Sequence, residues 1–237
     1  MQYIGLPETW RDLSFHANFD FSCVMFSPHP RVAQAYNYLF TAGKNITSIN
    51  ANMTTNGSSS YGPSNDLRHF RYLSVHPENS VFDSREDCNA IIKTADNTLV
   101  VGCTNTVIPS SVTGLAEGAF SGVQIESIEI PSHITTMGIG AFEGSALTSV
   151  TVNCPIISSC CFRNCSSLTN VVISNNIVLI EAAAFPKQLS DITFLGTTSE
   201  WKERAESFPY SWYYDNVSSS YTRALTIHCI DGDITYE

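Results

Sequence analysis

Three cysteines fall within six positions of the chain, Cys160, Cys161 and Cys165, in the stretch SSCCFRNCSS. Thiolates this close could bind zinc or form a redox centre. Zinc takes four ligands in a tetrahedral array, commonly with a C-x-x-C spacing, and no nearby His completes such a set. Cys229 stands beside His228, a pairing that could activate a thiol nucleophile. Adjacent strand residues point to opposite faces, however, so these two side chains cannot simply bond to each other. His16, His29, His69, His76 and His133 are scattered without motif. No glycine-rich phosphate loop occurs, and the DGD of Asp231–Asp233 is too short for a calcium loop. These residues predict no catalytic group, no metal ligand and no cofactor, so the protein is read as not an enzyme.

What positions the cysteines is a repeat. Four segments align: IESIEIPSHITTMGIGAF, LTSVTVNCPIISSCCF, LTNVVISNNIVLIEAAAF and LSDITF. They open at Ile125, Leu147, Leu168 and Leu189, in steps of 22, 21 and 21 residues. Each opener is followed by an alternating apolar pair: Ile128/Ile130, Val150/Val152, Val171/Ile173 and Ile192/Phe194. Alternation of this kind makes a short strand with one buried face. A second apolar segment then leads to a core Phe at Phe120, Phe142, Phe162 and Phe185. In this alignment Cys160 shares a slot with Gly118, Gly140 and Ala183, and Cys161 with Ala119, Ala141 and Ala184. Cysteine is a small, often buried residue, so both read as packing positions beside a ring. Cys165 falls in the turn before Leu168.

The pattern extends backwards through Cys103/Thr106/Ile108, Phe70/Leu73/Val75, Ile46/Ile49/Ala51 and Phe21/Val24/Phe26, for eight predicted units, with Phe40 as a further core ring. The interval from Phe70 to Cys103 is about half a repeat too long. NAIIKTADNTLVVG accounts for it as a projecting hairpin, with Ile91/Ile92 and Leu99/Val100 flanking Asp96-Asn97. No unit buries both its apolar segments alone, but stacked neighbours share one continuous core. The predicted fold is a mainly β repeat solenoid with irregular or short helical return segments. Its parts are an N-terminal segment or cap (1–20), the solenoid (21–198, hairpin inserted near 82–102) and a helix-plus-strand C-terminal cap (199–237). The cap helix is expected in TSEWKERAESF with Thr198 or Ser199 as N-cap, and the final strand in ALTIHCIDGDITYE.

At these residues the chain resembles the BspA-like leucine-rich repeat proteins of bacterial surfaces, some protozoa and phages. The pieces that carry the resemblance are IPSSVTGLAEGAFSG, SLTNVVISNNIVLIEAAAF and, most specifically, FDSREDCNAIIKTADNTLVVGCTNTVIPSSV. ITFLGTTSEWKERA and LTIHCIDGDI resemble that family's end caps. The resemblance implies a leucine-rich repeat fold and a binding or adhesion role without catalysis. NCPIISSCCF departs from it by a shortened return segment, expected to kink the stack locally.

Composition narrows the partners. The chain has 237 residues, 43% apolar and only 14% charged, with Ser, Thr and Asn supplying much of the polarity. Twelve Lys+Arg against 22 Asp+Glu give a net charge of -10, which disfavours nucleic acid. No window reaches the roughly 18 apolar residues of a membrane helix, and the start MQYIGLPETWRDL does not read as a secretory signal. Eight cysteines permit disulfides without assigning a compartment. The repeat aligns outward strand residues into a candidate binding face: Tyr72, Ser74, Ser127, Glu129, Ser149, Thr151, Asn170, Asp191 and Thr193. A merely solvated sheet is the alternative, since Ser and Thr make poor hot spots. Tyr72 and the aromatic stretch FPYSWYYDN are the stronger anchors, although that stretch could equally pack as a cap. The expected function is recognition or adhesion toward a protein or glycan at a cell surface or outside the cell. The second reading is a structural or receptor-binding component of a phage virion, in tail or head, contacting its own copies or other virion proteins, and an enzyme is the third and least favoured.

Overall fold

The computed structural model describes residues 23–25, 39–42, 72–209, 211–213 and 224–236. Strand β1 (Cys23–Met25) pairs antiparallel with β2 (Leu39–Ala42), which pairs in parallel with β3 (Tyr72–Val75). Next come β4 (Phe82–Asp83), β5 (Ala90–Lys93), β6 (Thr98–Gly102) and β7 (Gly114–Leu115). Front and back strands then alternate: β8 (Ser127–Ile130), β9 (Thr136–Met137), β10 (Ser149–Val152), β11 (Ile156–Ile157), β12 (Asn170–Ile173), β13 (Leu179–Ile180) and β14 (Asp191–Phe194). Helix α1 (Thr198–Ala205) and the hairpin β15 (Leu225–Cys229) and β16 (Gly232–Tyr236) follow.

The front sheet has the order β16-β15-β14-β12-β10-β8 and is parallel except for the terminal hairpin. Inward residues Val150, Val171, Ile192 and Ile227 are buried, as are Ile130, Val152, Ile173 and Phe194. The back of each turn is a two-residue strand followed by tight turns that deliver the core Phe. Three Phe-to-Phe steps stack face to face: Phe120–Phe142 at 4.8 Å, Phe142–Phe162 at 5.5 Å and Phe162–Phe185 at 5.8 Å between ring centroids. A solenoid of about four turns thus carries one continuous apolar column, as stacked repeats require.

The slot shared by Gly118, Gly140, Cys160 and Ala183 is more specific than "small". All four have left-handed φ, at 62, 61, 57 and 51°. Glycine takes this conformation freely and an L side chain does so at a cost of roughly 1–2 kcal/mol. Cys160 is therefore at a turn-forming backbone position, and the neighbouring Ala119, Ala141, Cys161 and Ala184 are the packed ones, each within 1% exposure.

NCPIISSCCF shortens its return by two residues, so Cys154 takes the buried place that Ile134 and Ile177 hold in the adjacent turns. The back ladder is interrupted at this turn. β7 pairs with β9 and β11 with β13, but β9 and β11 belong to different sheets.

Several expectations change. The hairpin does not project. β6 joins β7 in parallel, and the order β4-β5-β6-β7-β9 makes β5 and β6 an inner wall. Ala90, Ile92 and Leu99 enter the solenoid core, while Ile91 and Val101 join Leu73, Phe82 and Cys103 in a second cluster. Apolar residues on both faces are what a partition between two cores demands. Gly102 seats this wall on the aromatic column, because a Cβ there would collide with the Phe120 ring.

Residues 103–109 form no strand. Thr106 Oγ1 accepts from the Cys103 N–H (2.7 Å) and donates to the Asn89 C=O (2.6 Å), and the Val107 N–H donates to the Cys88 C=O (3.0 Å). These bonds turn the segment toward the hairpin. At the N-terminal end, Phe40 lies within strand β2, the Phe21–Phe26 unit gives a strand antiparallel to its neighbour, and the Ile46/Ile49/Ala51 unit lies outside the described residues.

The final strand is instead the hairpin β15–β16, turned at Ile230-Asp231 with Gly232 at φ 147°. The helix N-cap is Thr197, one residue earlier than predicted, in a reciprocal capping box. Its hydroxyl accepts from the Glu200 N–H (3.2 Å) and the Glu200 carboxylate accepts from the Thr197 N–H (2.7 Å). The Thr197 N–H, and after it the Thr197 hydroxyl (3.1 Å), donate to the Glu200 carboxylate and hold it below its usual range.

FPYSWYYDN resolves, in its described residues, as part of the cap. Trp201, Phe208 and Trp212 meet edge to face, and Trp212 closes the column on Phe185. Trp201 Nε1 donates to the Tyr236 hydroxyl (2.9 Å), and Arg204 donates to the Ile177 and Asn175 carbonyls (3.0 and 2.9 Å). The cap is thereby fixed to the last full turn.

Candidate functional site

Of the cysteine cluster, Cys161 and Cys165 are buried and Cys160 is half-exposed. Cys154, Cys161 and Cys165 are within 1% exposure, and they, like Cys88, Cys103, Cys160 and Cys229, are free thiols. Cys161 lies against the Met137 sulfur (3.1 Å), and Cys165 donates to the Phe142 C=O (3.1 Å) with Ser145 Oγ at 3.3 Å. Burial pushes these thiols up, Cys154 to about 11, which suppresses the nucleophilic thiolate. Among the described residues no group of three or more His, Cys, Asp or Glu could hold a metal ion.

His228 turns away from Cys229 and bridges two carboxylates across neighbouring strands. Its Nε2 is 3.1 Å from Asp191 Oδ1 and its Nδ1 is 3.0 Å from Asp233 Oδ1. Hydrogen bonding first to Asp191 and then to Asp233 raises its pKa above the ordinary 6.5. The bridge links β14, β15 and β16, so it joins the cap to the solenoid.

Seven of the nine predicted face residues come together on the outward side of the front sheet. One row runs Ser127, Ser149 and Asn170 in register. On β14 and β15, Asp191 and Thr226 are likewise paired. A second row runs Glu129, Thr151, Val172, Thr193, His228 and Asp233. Ser127, Glu129, Asn170, Asp191 and Thr193 are exposed, Ser149 and Thr151 half-buried. Glu129 Oε1 accepts from Asn153 Nδ2 (2.8 Å). Tyr72 and Ser74 are not on this face, because β3 belongs to the separate sheet with β1 and β2.

Sequence reasoning missed Val172, whose outward position follows from the same offset as Thr151. It also missed Thr226, His228 and Asp233, because the closing strand was not recognised as a register-matched continuation of the repeat.

At the β8 end the face drops into a groove of about 610 Å³, whose lining includes Val107, Ile108, Ser127, Ile128, Glu129 and Thr151. The groove falls where residues 103–109 stand beside β8 without pairing to it. No sequence signal marked it.

The described residues include no helix long and apolar enough to cross a membrane. The family model described as BspA type leucine rich repeat region matches residues 100–211 in six copies. Leucine-rich repeat proteins are typically non-enzymatic binding modules that mediate protein interactions. A leucine-rich cell surface protein from Faecalibacterium prausnitzii A2-165 is similar in structure, with 18% identity and a TM-score of 0.46, over 56% of this chain and 44% of that one. A leucine-rich repeat protein from Eubacterium ventriosum ATCC 27560 shows 17% identity and a TM-score of 0.45, over 83% of this chain and 63% of that one. The chain therefore spans less than two thirds of either protein. No curated protein matches it.

Proposed function

We propose that this protein, whose residues 100–211 match the BspA type leucine rich repeat model, is a recognition module that binds a protein or glycan through the outward face of its front sheet. The observation that carries this reading is the pair of in-register rows across five parallel strands, with Glu129, Asn170, Asp191 and Thr193 spaced along it. Neighbouring strands lie about 4.8 Å apart, so the five present a largely polar strip roughly 19 Å across. The groove at one end of the strip and the His228 bridge at the other give it relief and fixed dipoles. Direct hydrogen bonding by Asn, Asp and Thr suits sugar hydroxyls or peptide groups. A cell-surface or extracellular setting fits such a strip and is part of the proposal. The virion reading has no separate structural support.

The test is a screen of glycans and extracellular proteins with the wild type beside an Asn170→Arg/Thr193→Arg variant. Both substitutions are at outward positions, so circular dichroism should be unchanged. Binding that disappears in the variant supports the face. Ligands retained at equal affinity place recognition elsewhere.

A further inference from the structure

Among the described residues every strand of the front sheet but two has a neighbour on each side, and the two edges differ. β16 closes one edge with an antiparallel hairpin. β8 ends the other, beside a segment that does not pair with it. The Ser149 N–H donates to the Glu126 C=O, and the Asn153 N–H to the Ile130 C=O (2.9 Å). In a parallel ladder, alternate residues direct both backbone groups to one neighbour. Residues 126, 128 and 130 therefore face β10, and the backbone groups of Ser127 and Glu129 face the opposite way, into the groove. Among the described residues none of those groups has a backbone partner.

The core is also open along this edge. Val150, Val171 and Ile192 occupy the slot of Ile128 in the following turns and are 2, 1 and 0% exposed, whereas Ile128 is only half-buried. Val107 on the opposite wall is 70% exposed. The cause is the Cys103–Thr106–Asn89 hydrogen-bond set, which holds residues 103–107 against the hairpin instead of against β8. Pro109, at the end of this wall, has no N–H to offer.

We propose that the β8 edge and its groove form a β-augmentation site for an extended peptide segment of a partner protein, with a Lys or Arg side chain set against Glu129. The inference rests on the recognition reading above and names the partner's backbone conformation and charge.

Four sources of support converge on one occupant. A strand laid along β8 finds donors and acceptors that have no backbone partner among the described residues, at the spacing of a ladder, the chief source of affinity in strand addition. Its inward side chain would cover Ile128, completing the apolar row that the following turns complete for themselves. Its outward side chain would meet Glu129, which has no Lys or Arg partner among the described residues and lies on a chain of net charge -10. The volume, about 610 Å³, is within the roughly 300–1,000 Å³ usual for ligand sites. A second copy offering β16, the other edge of the front sheet among the described residues, so as to continue the outward row in register would bring Asp233 toward Glu129, so like charges oppose self-pairing.

The probe is a fluorescein-labelled peptide, Leu-Thr-Lys-Val-Lys-Val-Asn, which is the sequence of residues 147–153 around β10 with the outward Ser149 and Thr151 replaced by Lys. It is titrated into the full chain and followed by anisotropy. Saturable one-to-one binding is expected, weakened at least tenfold when alternate peptide nitrogens on the ladder side are methylated. Glu129→Lys should weaken it at least tenfold with an unchanged circular dichroism spectrum, and a peptide with Glu in place of both Lys should recover binding to that variant. Exchange of the Ser127 and Glu129 amides should slow at least tenfold in the complex. Absence of saturable binding, equal binding of the methylated peptide, or indifference to Glu129→Lys overturns the proposal. A screen ligand lost in Asn170→Arg/Thr193→Arg, with no peptide binding, refutes the groove and keeps the face. Peptide binding without any screen ligand keeps the groove and refutes the broader face.

Discussion

Replacing Phe142 by Ala removes the middle ring of the aromatic column. The ring is fully buried, with Phe120 stacked on one side at 4.8 Å and 9° and Phe162 on the other at 5.5 Å and 21°. The front ladder of β8, β10 and β12 fixes the spacing of the turns that carry these rings, so neighbours cannot collapse into the space. Large-to-small changes at Phe cost about 3–5 kcal/mol, and a site that cannot relax belongs in the upper half of that range. With a urea slope of roughly 2 kcal/mol/M, about 4 kcal/mol lowers the unfolding midpoint by about 2 M. Thr193→Ala, on the exposed face, should stay within about 0.5 kcal/mol, or roughly 0.25 M. The assay is urea denaturation of the three proteins followed by far-UV circular dichroism. Equal midpoints for the two variants, or a Phe142→Ala shift under about 0.5 M, would refute the stacked column and the repeat register with it.

Cys160→Gly should raise stability by roughly 0.5–1 kcal/mol, because glycine relieves the left-handed φ, whereas Cys160→Val should lower it. A lower midpoint for the Gly variant would contradict the turn assignment. Gly102→Val should destabilise by more than about 2 kcal/mol by forcing the inner wall off Phe120, and a neutral outcome in the same denaturation assay would remove the hairpin from the core. Among the seven cysteines from Cys88 to Cys229, timed alkylation with peptide mapping should label half-exposed Cys160 and Cys229 first. Cys88, Cys103, Cys154, Cys161 and Cys165 should react only on unfolding, so early labelling of Cys161 would contradict its burial. His228 has a folded pKa above its unfolded 6.5, so its contribution is complete below pH 6.5 and is lost as pH rises through the folded value. The midpoint advantage of wild type over His228→Asn should therefore shrink from pH 6 to pH 9, and an NMR titration placing the imidazole at or below 6.5 would refute the bridge.

The repeating turns were legible because two periodicities agree within them. Alternation of Val150/Val152 or Val171/Ile173 marks the front strand, and the small-small-Phe signal marks the return. The left-handed slot was visible only as smallness, since Gly118 and Gly140 state a backbone conformation that Cys160 and Ala183 conceal. The hairpin strands were found from Asp96-Asn97, but not their location. Local alternation cannot distinguish a projecting hairpin from a wall, although Ile91-Ile92 and Leu99-Val100-Val101, apolar on both faces, were the available clue. The segment around Ile108 matched the repeat and forms no strand, because tertiary hydrogen bonds from Thr106 and Val107 outweigh a short stretch of alternation. That same competition produced the groove, which depends on partners distant in sequence. Tyr72 was assigned to the face by extrapolating the repeat through the hairpin, where sheet continuity ends.

The most direct test of the sheet-face account is amide hydrogen exchange of the chain with and without a ligand from the screen. Slowed exchange in peptides spanning residues 127–129, 149–151, 170–172 and 191–193, with the 156–165 return unchanged, is the predicted footprint. Protection concentrated on the return side around Cys160, with the front strands unaffected, would contradict it.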